Sequence, residues 1–258
     1  MKWVLLALLA TYVAYALVMI WLHPRFIYPF QPDDVVLDGF ERVELAGADG
    51  TPVFVQERKG SGPAVLYFMG NAGAVAFFET AFTPHLAADR HVIALEYRGG
   101  AGRPGVQSEA VLKSDALVAA DYALSKSKPV VAQGYSLGSG LATYVAARRL
   151  LDGVVLVAPY DRLCRLLSQR SFLPACYLPF VQKWTSIDEA RRITVPIHVL
   201  HGSDDNLIPP RYSVAFSALP NVTRRLIDGA GHTDIGQFED YQTGLAGAFE
   251  DFLARSES

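Results

Sequence analysis

The sequence predicts an α/β fold in which a mostly parallel central sheet carries helices on both faces. Short apolar segments of strand length alternate with longer helical segments from Val53 to the C-terminus. Most of the strand segments are apolar throughout, as expected of strands that are covered on both sides. No linker, repeat or low-complexity stretch interrupts this alternation. Such βαβα order is typical of one parallel sheet with crossover helices.

The elements follow in a regular order along the chain. An Asp-Gly pair at Asp49 and Gly50 indicates a hairpin turn that leads into the first strand segment. Continuous apolar runs of four to eight residues indicate the later strands, and longer stretches of helix-forming residues separate them. The predicted strands are 53–58, 64–70, 91–99, 129–135, 152–159, 195–202 and 222–228. The predicted helices are 74–89, 108–125, 138–151, 210–219 and 237–254.

Length and charge limit the classes of protein that the chain can belong to. Its 258 residues suffice for one large α/β domain or at most two small ones. The net charge of −3 and the lack of a Lys/Arg cluster argue against nucleic-acid binding. The six histidines form no metal-binding motif, so no metal or cofactor is expected.

The N-terminus carries an uncharged apolar run from Trp3 to Leu22. About 20 such residues cross a bilayer as a helix. We therefore expect residues 1–24 to be an uncleaved single-pass anchor and residues 25–258 to be one domain tethered to the membrane. Lys2 and Arg25 lie on opposite sides of the run and do not decide its orientation. Phe26, Tyr28 and Phe30 follow it and are expected at the membrane surface.

A secretory signal is the alternative reading of this run. The sequence AYA at 14–16 resembles a cleavage site, and cleavage there would leave a secreted or periplasmic domain. The apolar run continues for six residues past Ala16, however, which a cleaved signal does not need. A buried core helix would usually be shorter and would carry a polar face.

The sequence GYSLG at 134–138 lies between an apolar strand and a helix. A serine in so sharp a strand-to-helix turn is exposed above the sheet edge and has a strained backbone. Gly134 and Gly138 remove Cβ atoms that would clash where strand and helix approach. The N–H of Leu137 starts the helix and is unpaired beside the Ser136 hydroxyl. The pattern predicts a nucleophilic serine; a glycine-rich turn with an incidental serine is the alternative.

A serine nucleophile needs a base, and the base needs an acid that orients it. Asp204 and Asp205 follow the strand 195–202, and His232 follows the strand 222–228. The carboxyl ends of parallel strands meet at one edge of the sheet, where active sites of open α/β folds lie. The order Ser, Asp, His along the chain is the order of α/β-hydrolases.

Five segments, GYSLG, HGSDDNLIP, GAGHTDI, YFMGNAG and EYRGGAG, resemble the membrane-anchored, small-lid α/β-hydrolases of the ABHD type. The resemblance covers almost the whole chain and implies the α/β-hydrolase fold. It implies Ser136 as nucleophile, His232 as general base and Asp205 as the acid, with Asp204 as the less favoured alternative. His201 is expected to pack or hydrogen-bond locally.

The resemblance also implies an oxyanion hole formed by the backbone amides of Leu137 and Asn71. The family usually has a histidine that braces this loop at the position of Met69, so the geometry of the loop is an open question. Asp234 matches a family position that can hydrogen-bond the turn around the base, and it receives no catalytic role. His85, His91 and His198 have no motif context and are expected to be structural.

The segment 160–195 is short, apolar and aromatic. It either covers the sheet edge as core or forms a lid that admits an apolar ester. Cys164 and Cys176 lie within it and would permit one bridge in an oxidising compartment. Two buried thiols are the favoured expectation.

The sequence thus predicts a serine hydrolase that cleaves carboxylic esters or thioesters, small or lipid-like, through an acyl-enzyme. A peptidase or an acyltransferase would use the same groups. A non-catalytic, membrane-tethered scaffold is the alternative from another class, and only Met69 favours it. The oligomeric state is not predicted.

Overall fold

The computed structural model describes residues 1–126 and 129–256. The predicted domain 25–258 also includes residues 127–128 and 257–258, which lie outside the described residues. The strands are β1 (Glu41–Leu45), β2 (Val53–Arg58), β3 (Ala64–Phe68), β4 (His91–Glu96), β5 (Val130–Tyr135), β6 (Gly153–Val157), β7 (Ile197–Gly202) and β8 (Val222–Ile227). The helices are α1 (Lys2–Ile27), α2 (Glu79–Ala87), α3 (Glu109–Lys126), α4 (Gly138–Ala146), α5 (Leu163–Ser171), α6 (Ser186–Ala190) and α7 (Glu239–Ser256).

All eight strands form one sheet in the order β1-β2-β4-β3-β5-β6-β7-β8. The strands from β4 to β8 in this order are parallel to their neighbours, and the β1–β2 hairpin adds two antiparallel strands at one edge. Helices α3 and α4 pack side by side, whereas α2 meets α7 through the rings of His85 and Phe249. The predicted fold class, a mostly parallel sheet with flanking helices, is confirmed.

Two local predictions differ from the structure. The sequence ERVEL of β1 was not predicted as a strand, because this short edge strand carries three charged residues and only Val43 and Leu45 pack against the core. The predicted helix 210–219 is wrong: the chain forms two short 3₁₀ segments, Pro210–Tyr212 and Val214–Ala218. Between them the Ser213 hydroxyl donates to the Pro210 carbonyl at 2.9 Å, which competes with helical hydrogen bonding.

Helix α1 extends from the body of the protein and has a mean hydropathy of 2.3 in its most apolar stretch, none of which is buried. The helix continues through Pro24 to Ile27, so the chain enters the domain directly. The expected membrane-surface position of Tyr28 and Phe30 is therefore wrong. Tyr28 is buried, and Trp184 Nε1–H donates to its hydroxyl at 3.0 Å. The Phe30 ring packs on Tyr97, whereas Phe26 is exposed.

The segment 160–195 contains α5 and α6 joined by an irregular stretch, and we call it the lid. Cys164 on α5 and Cys176 form a disulfide with a Cα–Cα distance of 4.9 Å, so the expectation of two free thiols is wrong. The physical reason is the backbone of Phe172. Its φ of 56° ends α5 in a left-handed turn and sends the chain back along the helix.

Candidate active site

The turn from β5 into α4 holds Ser136 in a left-handed conformation with a φ of 53°. A non-glycine residue there is strained, and such strain is typical of functional positions. The two flanking glycines allow the turn to close. A Cβ on Gly134 would lie 2.4 Å from the Gly138 carbonyl oxygen, and a Cβ on Gly138 would lie 2.0 Å from that of Phe68. The close approach of strand and helix therefore requires glycine at both positions.

The structure brings Ser136, His232 and Asp205 into one hydrogen-bonded row at the carboxyl ends of β5, β8 and β7. His232 Nδ1 lies 2.6 Å from Asp205 Oδ2, and His232 Nε2 lies 3.0 Å from Ser136 Oγ. An ionised carboxylate only accepts, so Nδ1 carries the proton and Nε2 accepts from the serine hydroxyl. Asp204, by contrast, is exposed and accepts from the Ser203 hydroxyl at 3.0 Å.

Asp205 is buried and surrounded by donors. Its Oδ1 accepts from the backbone amides of Leu207 and Ile208 at 2.9 and 2.7 Å. Burial by itself raises the pKa of this carboxyl, but hydrogen bonds from His201, His232 and the Ile208 amide outweigh it and hold the pKa well below its usual range. Asp205 is consequently a fixed negative charge behind the His232 ring.

His201 supports this carboxylate. Its ring is fully buried, with Nε2 donating to the Ile208 carbonyl at 2.8 Å and lying 3.4 Å from Asp205 Oδ2. Nδ1 lies 2.9 Å from the Ser213 hydroxyl oxygen. The expected local hydrogen bonding of His201 is confirmed. The sequence did not indicate its contact with Asp205, although the two residues are four apart around a strand end.

Two hydrogen bonds hold the loop that carries His232. The Tyr135 hydroxyl donates to the His232 carbonyl at 2.5 Å, which links the loop to the residue before Ser136. Asp234 Oδ1 accepts from the Gly231 amide at 2.7 Å, so the turn-bracing role expected of Asp234 is confirmed. These two bonds hold the backbone of the loop at Gly231 and His232.

Leu137 and Asn71 line one cavity together with Ser136. Within residues 1–126 and 129–256, the backbone N–H of neither residue donates to a protein acceptor. The Asn71 loop is braced without a histidine, because the buried Tyr97 hydroxyl donates to the Met69 carbonyl at 2.5 Å. The backbone N–H of Gln31 also donates to the Ala72 carbonyl at 2.8 Å. Tyr97 and Gln31 thus hold the Asn71 loop, although Met69 stands where the family usually has a bracing histidine.

Two cavities meet at this row of residues. The first, of about 440 Å³, borders Ser136 and lies between the lid and α1. Its apolar wall includes Met19 and Ile20 of α1 and Leu163, Leu166, Leu173 and Leu178 of the lid. The second, of about 390 Å³, borders His232 and has a mixed aromatic and polar lining that includes Tyr67, Phe78, Tyr135, Gln237 and Gln242. Both cavities are lined mainly by apolar atoms, so the site is largely apolar on the serine side and on the histidine side.

The other histidines lie in structural contacts, as expected. His91 Nε2 lies 2.6 Å from Glu57 Oε1, and His198 Nε2 lies 3.1 Å from Asp251 Oδ2. Burial and the nearby Arg90 guanidinium lower the pKa of His85 to about 3. In the described part of the chain, no three His, Cys, Asp or Glu side chains are grouped as metal ligands.

The chain is similar to curated proteins over most of its length. It is 30% identical over 213 residues to an uncharacterised protein of Mycobacterium tuberculosis, a match that covers 78% of this chain and 72% of that protein. It is 28% identical over 226 residues to the lysophosphatidylserine lipase ABHD12 of Xenopus tropicalis. That match covers 76% of this chain but only 58% of the relative, so the chain spans a little over half of ABHD12. No family model matches.

Solved structures agree on the fold. The esterase Pf2001 of Pyrococcus furiosus superposes with a TM-score of 0.70 at 18% identity, covering 87% of this chain and 98% of the esterase. Mouse alpha/beta hydrolase domain-containing protein 10 gives a TM-score of 0.63 at 17% identity and covers 83% of this chain and 99% of its own. The sequence relatives, the superposed sheet and the strand-end site together show that the chain belongs to the ABHD-type α/β-hydrolase family.

Proposed function

We propose that this protein is a serine hydrolase that cleaves carboxylic esters or thioesters of apolar acyl groups. One observation carries the proposal: Ser136, His232 and Asp205 are hydrogen-bonded in a row at 3.0 and 2.6 Å, and the serine opens into an apolar cavity of about 440 Å³. A hydroxyl, an imidazole and an ionised carboxylate in this geometry are the groups that acyl transfer requires.

The chemistry follows from the direction of the hydrogen bonds. Ser136 Oγ attacks the carbonyl carbon while His232 Nε2 takes its proton. The charge of Asp205 stabilises the imidazolium that forms, and the amides of Leu137 and Asn71 stabilise the oxyanion. His232 then returns the proton to the leaving oxygen or sulfur, which leaves an acyl group on Ser136. Water that His232 deprotonates releases the acid.

The two cavities give the substrate a direction. The leaving atom must lie within reach of His232 Nε2, so the leaving group occupies the cavity that borders His232. The acyl chain then extends into the apolar cavity between the lid and α1. A long acyl chain fits the cavity between the lid and α1, and a compact alcohol or thiol fits the slightly smaller cavity at His232.

We further assign α1 as a retained membrane anchor. Its length and hydropathy suit a span. The hydroxyl of Tyr15 donates to the Ser171 carbonyl of the lid at 2.9 Å, and cleavage after Ala16 would remove that contact. The Cys164–Cys176 disulfide supports a position of the domain on the oxidising side of the membrane, because such bridges are rare in reducing compartments.

Hydrolysis of a matched series of esters and thioesters, from acetyl to palmitoyl, tests the proposal on the full chain in detergent. We expect the rate to rise with acyl length, and Ser136→Ala to lose about 10⁴-fold or more in kcat/KM without a change in thermal unfolding. Transfer of the acyl group to added alcohols in preference to water would favour an acyltransferase. A folded wild type that cleaves no member of the series would favour the scaffold.

A further inference from the structure

Three aromatic side chains on the outside of the lid are almost fully exposed. Phe172, Tyr177 and Phe180 have exposed fractions of 87, 90 and 89%. Phe172 and Phe180 also have φ values of 56° and 63°, in the left-handed region that strains a residue with a Cβ. The backbone thus accepts strain at two positions where a phenylalanine faces outward. We call these three residues the lid surface.

The lid is apolar on its inner side as well. Leu173, Leu178 and Val181 alternate with the lid surface along the chain and line the cavity beside Ser136. A segment that covers a core in water carries polar side chains on its outer face. A segment with aromatic or aliphatic residues on both faces suits an apolar medium on both sides. Several exposed aromatic side chains on one short segment are typical of an interaction site.

The contacts of α1 locate the lid surface relative to a membrane. The Tyr12 hydroxyl donates to the Phe172 carbonyl at 3.3 Å, and the Tyr15 hydroxyl donates to the Ser171 carbonyl at 2.9 Å. These tyrosines lie in the middle of the apolar run, about 10–15 Å along the helix axis from its end at Leu22. If α1 crosses a hydrocarbon layer of about 30 Å, the lid contacts it well below the headgroups.

The part of the lid between Leu166 and Trp184 carries two charged side chains, and both bond to backbone carbonyls of the protein. Arg170 Nη2–H donates to the Leu207 carbonyl in the loop after β7, so the guanidinium turns back towards the domain. Lys183 Nζ donates to the carbonyls of Ala175 and Leu178 inside the lid itself. Long basic side chains at membrane depth reach back to polar groups in this way.

We propose that the lid surface is immersed in the bilayer beside α1 and that the cavity at Ser136 takes acyl chains directly from the hydrocarbon layer. The proposal rests on the retained anchor and deepens the proposed hydrolase function. Met19 and Ile20 of the apolar run form part of the cavity wall, so the cavity lies on the side of the domain that meets the lipid. The substrate is then a lipid ester that never leaves the membrane.

Spin labels measure the immersion without any need for activity. Phe172→Cys and Phe180→Cys are labelled in the full chain in lipid nanodiscs, and Leu150→Cys is the control. Leu150 is 91% exposed and lies near the starts of β5 and β6, at the sheet edge opposite Ser136. Collision rates with oxygen, which concentrates in lipid, are compared with those of a water-soluble nickel chelate.

We expect the labels at 172 and 180 to collide preferentially with oxygen and the label at 150 to collide preferentially with nickel. Nickel accessibility at 172 and 180 equal to that at 150 would overturn the proposal. Low accessibility to both reagents would also overturn it, because a second copy of the chain or another protein would then cover the lid surface.

The functional arm combines Phe172→Asp with Phe180→Asp and uses Leu150→Asp as the control. Hydrolysis of a long-chain ester embedded in vesicles should fall by about tenfold or more, since charges are strongly disfavoured in hydrocarbon. Hydrolysis of a soluble acetyl ester should stay within about twofold, because neither side chain lines the cavity. Equal losses on both substrates, or no loss on vesicles, would contradict lateral entry. A wild type without any esterase activity would refute the hydrolase function, and the spin labels would still report the immersion.

Discussion

The candidate site has two parts that are held in place in different ways. The strand-end half consists of Ser136, Asp205 and His232, and the lid half consists of the segment 160–195. Ser136, Asp205 and His232 follow β5, β7 and β8, three parallel strands of one sheet, and each is fixed by hydrogen bonds from a close partner. The lid also makes hydrogen bonds to the domain, such as those of Trp184 with Tyr28 and Arg170 with Leu207, but it is held in addition by one disulfide, by apolar packing and by contacts with α1. The difference teaches that the strand ends of the sheet position the proposed reacting groups, whereas the lid sets the shape of the apolar cavity beside them. Substitutions in one half should therefore leave the role of the other intact.

Among the substitutions that compare the two halves, the largest effect should come from Asp205. Asp205→Asn keeps the shape of the side chain but removes the charge that fixes the His232 tautomer, so kcat should fall by about 10⁴-fold. Asp204→Asn is the matched control and should stay within a few-fold, because Asp204 is exposed and does not contact His232. Ester hydrolysis by the two variants measures this difference. Equal losses would remove the distinction between the two aspartates.

The disulfide should affect the lid half alone. Replacing Cys164 and Cys176 by serine frees the chain between them, which covers the cavity, and should cost about 3 kcal/mol in the free energy of unfolding. We expect kcat/KM for a palmitoyl ester to fall by about tenfold or more while that for an acetyl ester stays within about twofold. Measuring kcat/KM against acyl length for the wild type and for the variant with both cysteines replaced checks this. A uniform loss at all lengths would show that the lid also positions the reacting groups.

Tyr97 contacts both the proposed oxyanion loop and the segment after α1. Its hydroxyl donates to the Met69 carbonyl, and its ring packs on Phe30. Tyr97→Phe leaves the Met69 carbonyl without its donor and should lower kcat by about tenfold with little change in KM. Tyr122→Phe also loses a hydroxyl hydrogen bond, to Glu57, but lies away from the site and serves as the control. A change in KM alone would indicate that the loop binds substrate rather than stabilising the oxyanion.

A pH effect on stability should arise far from the lid, at His85. Burial lowers the pKa of this histidine to about 3 in the folded state, below an unfolded value of about 6.5. Between these two values the unfolded chain binds a proton that the folded chain does not. The free energy of unfolding should therefore fall by about 1.4 kcal/mol per pH unit as the pH drops below about 6.

The His85→Phe variant should lack this component of the slope, while His198→Gln, which changes a partly exposed histidine, should keep it. Urea unfolding from pH 7 to pH 4 measures the difference between wild type and each variant. Parallel curves for wild type and His85→Phe would contradict the lowered pKa.

The strand-end half could largely be predicted from the sequence, whereas the lid half could not. Ser136 and His232 sit in strand-end turns whose glycines are visible in the sequence, and the strands themselves are continuous apolar runs. The order Ser, Asp, His along the chain left both Asp204 and Asp205 as candidates for the acid, and the resemblance to ABHD-type hydrolases implied Asp205. The contact of His201 with Asp205 could not be predicted, because a buried histidine near a strand end has no distinctive pattern.

The lid could not be predicted in this way because its geometry depends on long-range contacts. The disulfide forms only because Phe172 adopts a left-handed turn that returns the chain to α5, and no glycine marks that turn. Tyr28 is buried because the lid residue Trp184 donates to its hydroxyl, although its neighbours in sequence suggested a membrane surface. Residues far apart in the chain decide both features.

Mass spectrometry of the full chain after reaction with a tagged fluorophosphonate tests the nucleophile directly. We expect one adduct, on the peptide that contains Ser136, with no adduct in Ser136→Ala and slowed labelling in Asp205→Asn but not in Asp204→Asn. Such a result would establish an activated serine at the end of β5. An unlabelled but folded wild type, or an adduct on another residue, would contradict the proposed hydrolase chemistry.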